Sequence, residues 1–165
     1  MRTLPWLALT LAGTIACDEP KPSPPPRPSV TAARRTSAAV EIRTVAKTGS
    51  LSEVFEREAE DAKRSGRTLL VYVGAPWCEP CQHFKTAVKR GDLDTEFPGL
   101  RLLELDRDVD EARLAEAGCL SRLIPLLARP VAGRCSATAR MEGSIKGPGA
   151  VAEMTPRLRT LLATP

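Results

Sequence analysis

The stretch Val71 to Lys85 reads V-Y-V-G-A-P-W-C-E-P-C-Q-H-F-K. Cys78 and Cys81 stand in it with two residues between them. The run Thr68 to Val73, apolar on both faces, leads in as a buried central strand would, and a helical stretch leads away. A cysteine where a strand gives way to a helix N-terminus is placed for redox chemistry. The free amides and the helix dipole favour a thiolate there, lowering its pKa below the ~8.5 of a free thiol. The second cysteine, one helical turn on, is positioned to close a disulfide onto the first. Half of a zinc site is the competing reading. Structural zinc usually takes four N or S ligands from paired knuckles, whereas Cys119 and Cys135 are single and far off in sequence. Haem attachment needs a histidine after the second cysteine, and Gln82 stands there.

Trp77, Cys78, Pro80 and Cys81 spell W-C-x-P-C, and the stretch resembles the active site of the thioredoxin superfamily. Val71 to Ala75 match the approach strand and turn of that family. Ile124-Pro125 is a second match, to an X-Pro pair that is cis in the family and packs beside the cysteines. The resemblance runs roughly from Leu51 to the C-terminus. From Glu53 to Cys81 it is most similar to bacterial proteins of the periplasmic thiol-disulfide type. It implies an α/β, thioredoxin-like fold, with a mixed central sheet flanked by helices. It also implies Cys78 as attacking nucleophile and Cys81 as resolving thiol, the two forming the redox-active disulfide. Trp77 then borders the pair and shapes the substrate face, or serves only as a packing aromatic. A residue before proline keeps its N–H and C=O, so Ile124 with Pro125 offers an edge for an extended substrate segment. A plain strand-start proline is the alternative.

Three residues tune this pattern. Pro80 fixes the helix start. Glu79 replaces the common glycine, and its charge favours the helix but disfavours a neighbouring thiolate. The couple is therefore expected to be more reducing than in a Glu79→Gln variant. Tyr72 occupies the place of the family's buried aspartate, the proton acceptor for the resolving thiol, so a tyrosine hydroxyl and water would have to serve. His83 is the only histidine, and helical spacing points it away from the pair. A Cys119–Cys135 bridge is a possible second disulfide, although the family's geometry puts these places toward opposite ends of the sheet. Two buried thiols, or a contact with a partner, are the alternatives.

The chain has 165 residues, a formal charge of +4 and five cysteines. Its length suits one domain with appendages. Basic and acidic residues are interspersed and aromatics few, which excludes a nucleic-acid signature. Five cysteines suit an oxidising compartment. Arg2 and the apolar run Leu4 to Ile15, too short for the ~20 residues of a span, read as a signal peptide over 1–16. Thr14-Ile15-Ala16-Cys17 resembles a bacterial lipobox, with Thr14 where leucine is usual, and implies lipidation at Cys17. Ordinary cleavage to a soluble periplasmic protein is the alternative. Residues 17–47 then hold the anchor and a disordered Pro-rich linker, with six prolines between Glu19 and Ser29. That segment is a spacer or a Pro-rich ligand, and Arg34 and Arg35 could touch anionic headgroups. Val40 to Val45 reads as a short edge strand.

The thioredoxin-like domain is placed at 48–165. Ser50 with Glu53 predicts a capping box, opening a helix that Gly66 ends. A strand over Leu100 to Leu105, a short helix over Val109 to Ala117 and a strand over Leu126 to Val131 follow. The last strand is expected over Ala139 to Lys146, and the final helix at Thr155-Pro156. The function expected is a thiol-disulfide oxidoreductase acting on exported proteins through their thiols and disulfides. It is held at the periplasmic side of a bacterial membrane by its lipid, with a membrane electron donor or acceptor as a possible partner. No cofactor, metal or nucleic acid is called for. The alternative is a redox-inert binding module that uses the proline groove. A metal chaperone would need more ligands than His83 supplies.

Overall fold

A computed structural model describes residues 38–164. The signal peptide, Cys17 and the Pro-rich segment lie outside the described residues. Five strands and four helices follow in order: β1 Glu41–Thr44, α1 Leu51–Arg64, β2 Thr68–Gly74, α2 Glu79–Arg90, β3 Leu100–Asp106, α3 Glu111–Glu116, β4 Leu126–Val131, β5 Arg134–Glu142 and α4 Ala150–Ala163. They build one mixed sheet in the order β1-β3-β2-β4-β5. β1 and β2 run parallel to β3 on either side of it, while β4 runs antiparallel to both β2 and β5. The expected mixed sheet with β2 at its centre is what forms. The folded unit begins ahead of Thr48, because Glu41–Thr44 pairs with Arg101–Glu104 as an edge strand.

The alternation of β2 assigns the two faces. Leu69, Val71 and Val73 join Val54, Phe55, Leu103, Leu105 and Leu114 under α1 and α3. Leu70 and Tyr72 join Phe84, Val88, Leu102, Met154 and Leu158 under α2 and α4. A strand buried on both sides needs apolar residues at every position, which is why Leu69 to Val73 carries no charge. Burying a leucine or phenylalanine contributes roughly 1.5–3 kcal/mol, so these two layers hold the sheet in place. A charge from β3 is buried beside them. Arg101, 3% exposed at its side chain, reaches Glu41 Oε2 at 3.0 Å and Asp61 Oδ2 at 2.6 Å. It thereby ties the edge strand to α1.

Local signals were misleading at several ends. Ser50 does precede α1, but its hydroxyl makes no capping hydrogen bond, so the expected capping box is absent. The helix read over Val109 to Ala117 is only Glu111–Glu116, since Asp106 Oδ1 accepts the amides of Asp108 and Val109 and holds a turn there. β5 starts at Arg134, five residues before the expected Ala139, and ends at Glu142 rather than Lys146. The reason is a tight hairpin: Ala132 and Gly133 both take positive φ, 46° and 71°, as a two-residue turn between twisted strands requires. Pro130 is tolerated in β4 because it falls at a register shift opposite Cys135. The last helix starts at Ala150, so Pro156 lies inside it and Thr155 is no cap; its hydroxyl donates back to the Val151 carbonyl.

Candidate functional site

β2 stops at Gly74, and the turn that follows delivers the cysteines. The Cys78 amide donates to the Ala75 carbonyl at 3.1 Å. Cys78 is then the N-cap of α2, with extended φ −80° and ψ 101°. Its Sγ accepts the Cys81 amide at 3.3 Å, a bond that strengthens when the acceptor is a thiolate. Pro80 sits within the first turn of α2, where no amide is needed. The Gln82 side-chain amide donates to the Pro76 carbonyl at 2.9 Å and pins the turn. Cys78 and Cys81 form a disulfide with Cα atoms 5.2 Å apart. Cys78 is 4% exposed and Cys81 1%, so Cys78 is the less deeply buried residue of the pair.

Around the pair, Trp77 stands 64% exposed, and its Nε1–H donates to Asp108 Oδ2 at 2.6 Å. It is therefore a rim residue rather than a core aromatic. That hydrogen bond is the main reason the Asp108 carboxyl is held below the usual range; desolvation opposes it and Arg107 adds to it. Glu79 Oε1 accepts the Gly147 amide at 3.1 Å, which joins the first turn of α2 to the loop before α4. His83 Nε2 lies 3.7 Å from the same oxygen. The histidine thus faces Glu79 and not the sulfurs.

The Ile124-Pro125 peptide is cis. Val73 pairs with Leu126, so Pro125 is level with the end of β2 from which the cysteine turn departs. Ile124 packs on the same core as Cys78 and Cys81. The Ser121 hydroxyl takes both the carbonyl and the amide of Leu123, and the Pro125 carbonyl accepts the Gly143 amide at 2.9 Å. Between them, the Ile124 N–H and C=O make no hydrogen bond among the described residues. An unpaired edge of this kind accepts an extended segment as an added strand.

Beneath the pair, Tyr72 is fully buried. Its Oη donates to the Cys81 carbonyl at 3.2 Å, and its ring lies 5.5 Å from that of Phe84. Gly74 permits this approach, since a Cβ there would stand 2.9 Å from Tyr72 Oη and 3.4 Å from Cys81 Cβ. Burial pushes the Tyr72 phenol far above its ordinary value, and the charge of Glu104 adds to the rise. Glu104 is the register partner of Tyr72 on β3, and its Oε1 meets Lys85 Nζ of α2 at 2.5 Å. Gly74, Pro76, Gln82, Lys85, Glu104 and Asp106 line a cavity of about 330 Å³. Sequence reasoning missed Asp108, Lys85 and Glu104. For Glu104 a signal was present: it is the one acid inside the apolar run Leu102 to Leu105.

Cys119 and Cys135 also form a disulfide, with Cα atoms 5.1 Å apart. The expectation that they lie toward opposite ends of the sheet is corrected. Because β5 starts at Arg134, Cys135 is already in the sheet, and its amide donates to the Ala117 carbonyl at the end of α3. Cys119 follows α3 directly and is fully buried. Among the described residues no group of three or more His, Cys, Asp or Glu is placed to hold a metal ion. No helix among them is long and apolar enough to cross a membrane.

No family model matches the chain, and no curated protein matches it in sequence. Solved structures similar to it include thioredoxin O2 from Arabidopsis thaliana in its oxidized state, 17% identical, with 76% of this chain and 92% of that one covered and a TM-score of 0.43. A wild-type thioredoxin h from poplar is likewise 17% identical, with 76% and 98% covered and a TM-score of 0.46.

Proposed function

We propose that the chain is a thiol-disulfide oxidoreductase of the thioredoxin superfamily, exported and acting on the disulfides of other exported proteins. One observation carries this reading: Cys78 caps α2, is bonded to Cys81, and stands at the end of β2 level with the open edge at Ile124-Pro125. In the reduced form the Cys78 thiolate, supported by the Cys81 amide and the helix N-terminus, attacks a substrate disulfide. Cys81 then attacks the mixed disulfide and releases the substrate thiol. The open edge holds the substrate segment, and Trp77 borders it. The run Arg2 to Cys17 supports export and a lipid anchor at Cys17 on the periplasmic side of a bacterial membrane. A membrane electron donor or acceptor would then set the direction of electron flow.

Insulin reduction driven by dithiothreitol tests the chemistry. Activity is expected to vanish in Cys78→Ser, and Cys81→Ser is expected to accumulate a mixed disulfide with substrate. Labelling cells with a radioactive fatty acid tests the anchor; the label is expected on the wild type and absent from Cys17→Ala. A second reading, a redox-inert binding module, is favoured by Tyr72 in place of an acid. It becomes the account if insulin reduction shows no dependence on Cys78.

A further inference from the structure

Two apolar clusters meet at Ile124. It packs against the core that holds Cys78 and Cys81, and also against the core that holds Cys119 and Cys135. Ile124 also carries the open N–H and C=O of the candidate edge. Whatever holds this residue in place therefore sets where an extended segment can pair.

The chain reaches Ile124 through a short irregular stretch. Leu120, Arg122 and Leu123 in it are exposed. Its internal tie is the Ser121 hydroxyl, which bonds to Leu123 alone. Downstream, Gly143 donates to the Pro125 carbonyl and the β4 ladder begins at Leu126. Upstream, the stretch starts at Cys119, where the end of α3 is fastened to β5. The Cys135 amide donates to the Ala117 carbonyl, Arg134 to the Glu116 carbonyl and Arg140 to the Gly118 carbonyl. Arg134 is exposed, so water competes for its contact. The Cys119–Cys135 bond is the covalent member of this set, and it is buried. Without it the Cys119 amide keeps its bond to the Leu114 carbonyl, which runs to α3 and not to the sheet.

An added strand needs N–H···O distances of about 2.7–3.2 Å. A loop released at Cys119 must be ordered again each time a segment pairs with it, and that ordering opposes binding. A small disulfide has no backbone to pair and needs only the Cys78 sulfur.

We propose that the Cys119–Cys135 bridge is a positioning device for polypeptide substrates. It holds Leu120 to Ile124 in the shape that leaves the Ile124 N–H and C=O open to an extended segment. This rests on the oxidoreductase reading above. The bridge touches no substrate and exchanges no electrons; it stays oxidised while Cys78 and Cys81 turn over. Its contribution falls on the binding of polypeptide and not on the exchange step.

The test pairs a disulfide-linked peptide, long enough to lie along Ile124, with hydroxyethyl disulfide, which has no amide to offer. Single-turnover reactions start from enzyme whose Cys78–Cys81 pair has been reduced with one equivalent of dithiothreitol, the thiols of that pair being confirmed free by titration. Cys119→Ala/Cys135→Ala is expected to raise the half-saturating peptide concentration about tenfold, the equivalent of ordering one more backbone residue on binding. The limiting rate with peptide is expected to stay the same. The rate with hydroxyethyl disulfide is expected to match the wild type within about twofold, since only uniform binding is lost. A general loss of structure would depress both reactions alike. An equal loss on both, or an unchanged half-saturating peptide concentration, overturns the proposal. A wild type that reduces only the small disulfide overturns the positioning role alone. If the wild type reduces neither, the oxidoreductase reading fails first and the proposal falls with it. Should the double variant not fold, backbone dynamics of the wild type decide. Order parameters of Leu120 to Ile124 are expected near the ~0.85 of rigid backbone, and values below ~0.6 overturn the proposal.

Discussion

Removing the second disulfide gives the sharpest test of the fold. Cys119 and Cys135 are 16 residues apart in sequence, and their bond closes a loop that contains Ser121, Ile124, Pro125 and the whole of β4. A cross-link of that length removes denatured-state entropy worth about 3 kcal/mol. Cys119 is fully buried and Cys135 nearly so, so alanine is the better replacement: it leaves no hydroxyl without a partner. The double variant Cys119→Ala/Cys135→Ala, with Cys78–Cys81 kept oxidised, is expected to lose about 3 kcal/mol in urea. Its Tm should fall by about 10 °C. The urea m value should rise, because an uncross-linked denatured chain exposes more surface. Thiol titration of the denatured, unreduced wild-type domain should find neither cysteine free. A loss below about 1 kcal/mol, or two free thiols in that titration, would refute the bridge and the placement of Cys135 within β5.

Glu79→Gln is expected to raise the reduction potential by about 15 mV, half of the ~30 mV that corresponds to ~1.4 kcal/mol, since the Glu79 side chain is half exposed and solvent screens its charge. A redox titration against glutathione reads it, and an unchanged or lower value would count against a charge effect on Cys78. Trp77→Phe removes the indole donor, so the Asp108 carboxyl should titrate at higher pH than in the wild type. NMR follows that titration, and an unmoved midpoint would refute the rim contact. Arg101→Met should cost about 2 kcal/mol, less than the 3–5 of a fully buried pair, because Arg43 and solvent still reach its partners. Burial opposes ionisation of Glu41, but Arg43 and Arg101 together outweigh it. Asp61 is lowered chiefly by its Arg101 hydrogen bond. Depressed carboxyl pKa values stabilise above the unfolded carboxylate range and lose that contribution as pH falls through the folded values. The gap between wild type and Arg101→Met should therefore narrow from pH 7 toward pH 3, and a constant gap would be inconsistent with this network.

The central strand and the cysteine turn were legible because their signals are local and agree. An uninterrupted apolar run names a two-sided strand, and W-C-x-P-C names the junction that follows it. The ends of β5 and α4 were not legible, for opposite reasons. β5 is polar at Ser136 and Thr138, so apolar pattern began only at Ala139, while ladder pairing with β4 extends it back to Arg134. In α4, Thr155-Pro156 looks like a helix start, but tertiary packing of Ala150 and Met154 carries the helix a turn and a half earlier. Glu104 escaped notice because its significance lies across strands. Nothing within one strand tells that its neighbour in register is Tyr72. The Cys119–Cys135 bridge was named as one of several alternatives, and the sequence could not choose among them, because the pairing depends on where a hairpin turns and not on any spacing.

The parallel course of β1 has a consequence for how the molecule is presented. β1, β3 and β2 all point one way, and the cysteines follow the far end of β2. Residues preceding β1 therefore arrive at the opposite pole, about 23 Å away along the seven residues of β2. With Cys17 lipidated as proposed, the leash would join the domain at the pole away from the sulfurs. Attachment at that pole leaves the cysteine turn and the open groups of Ile124 clear of the tether.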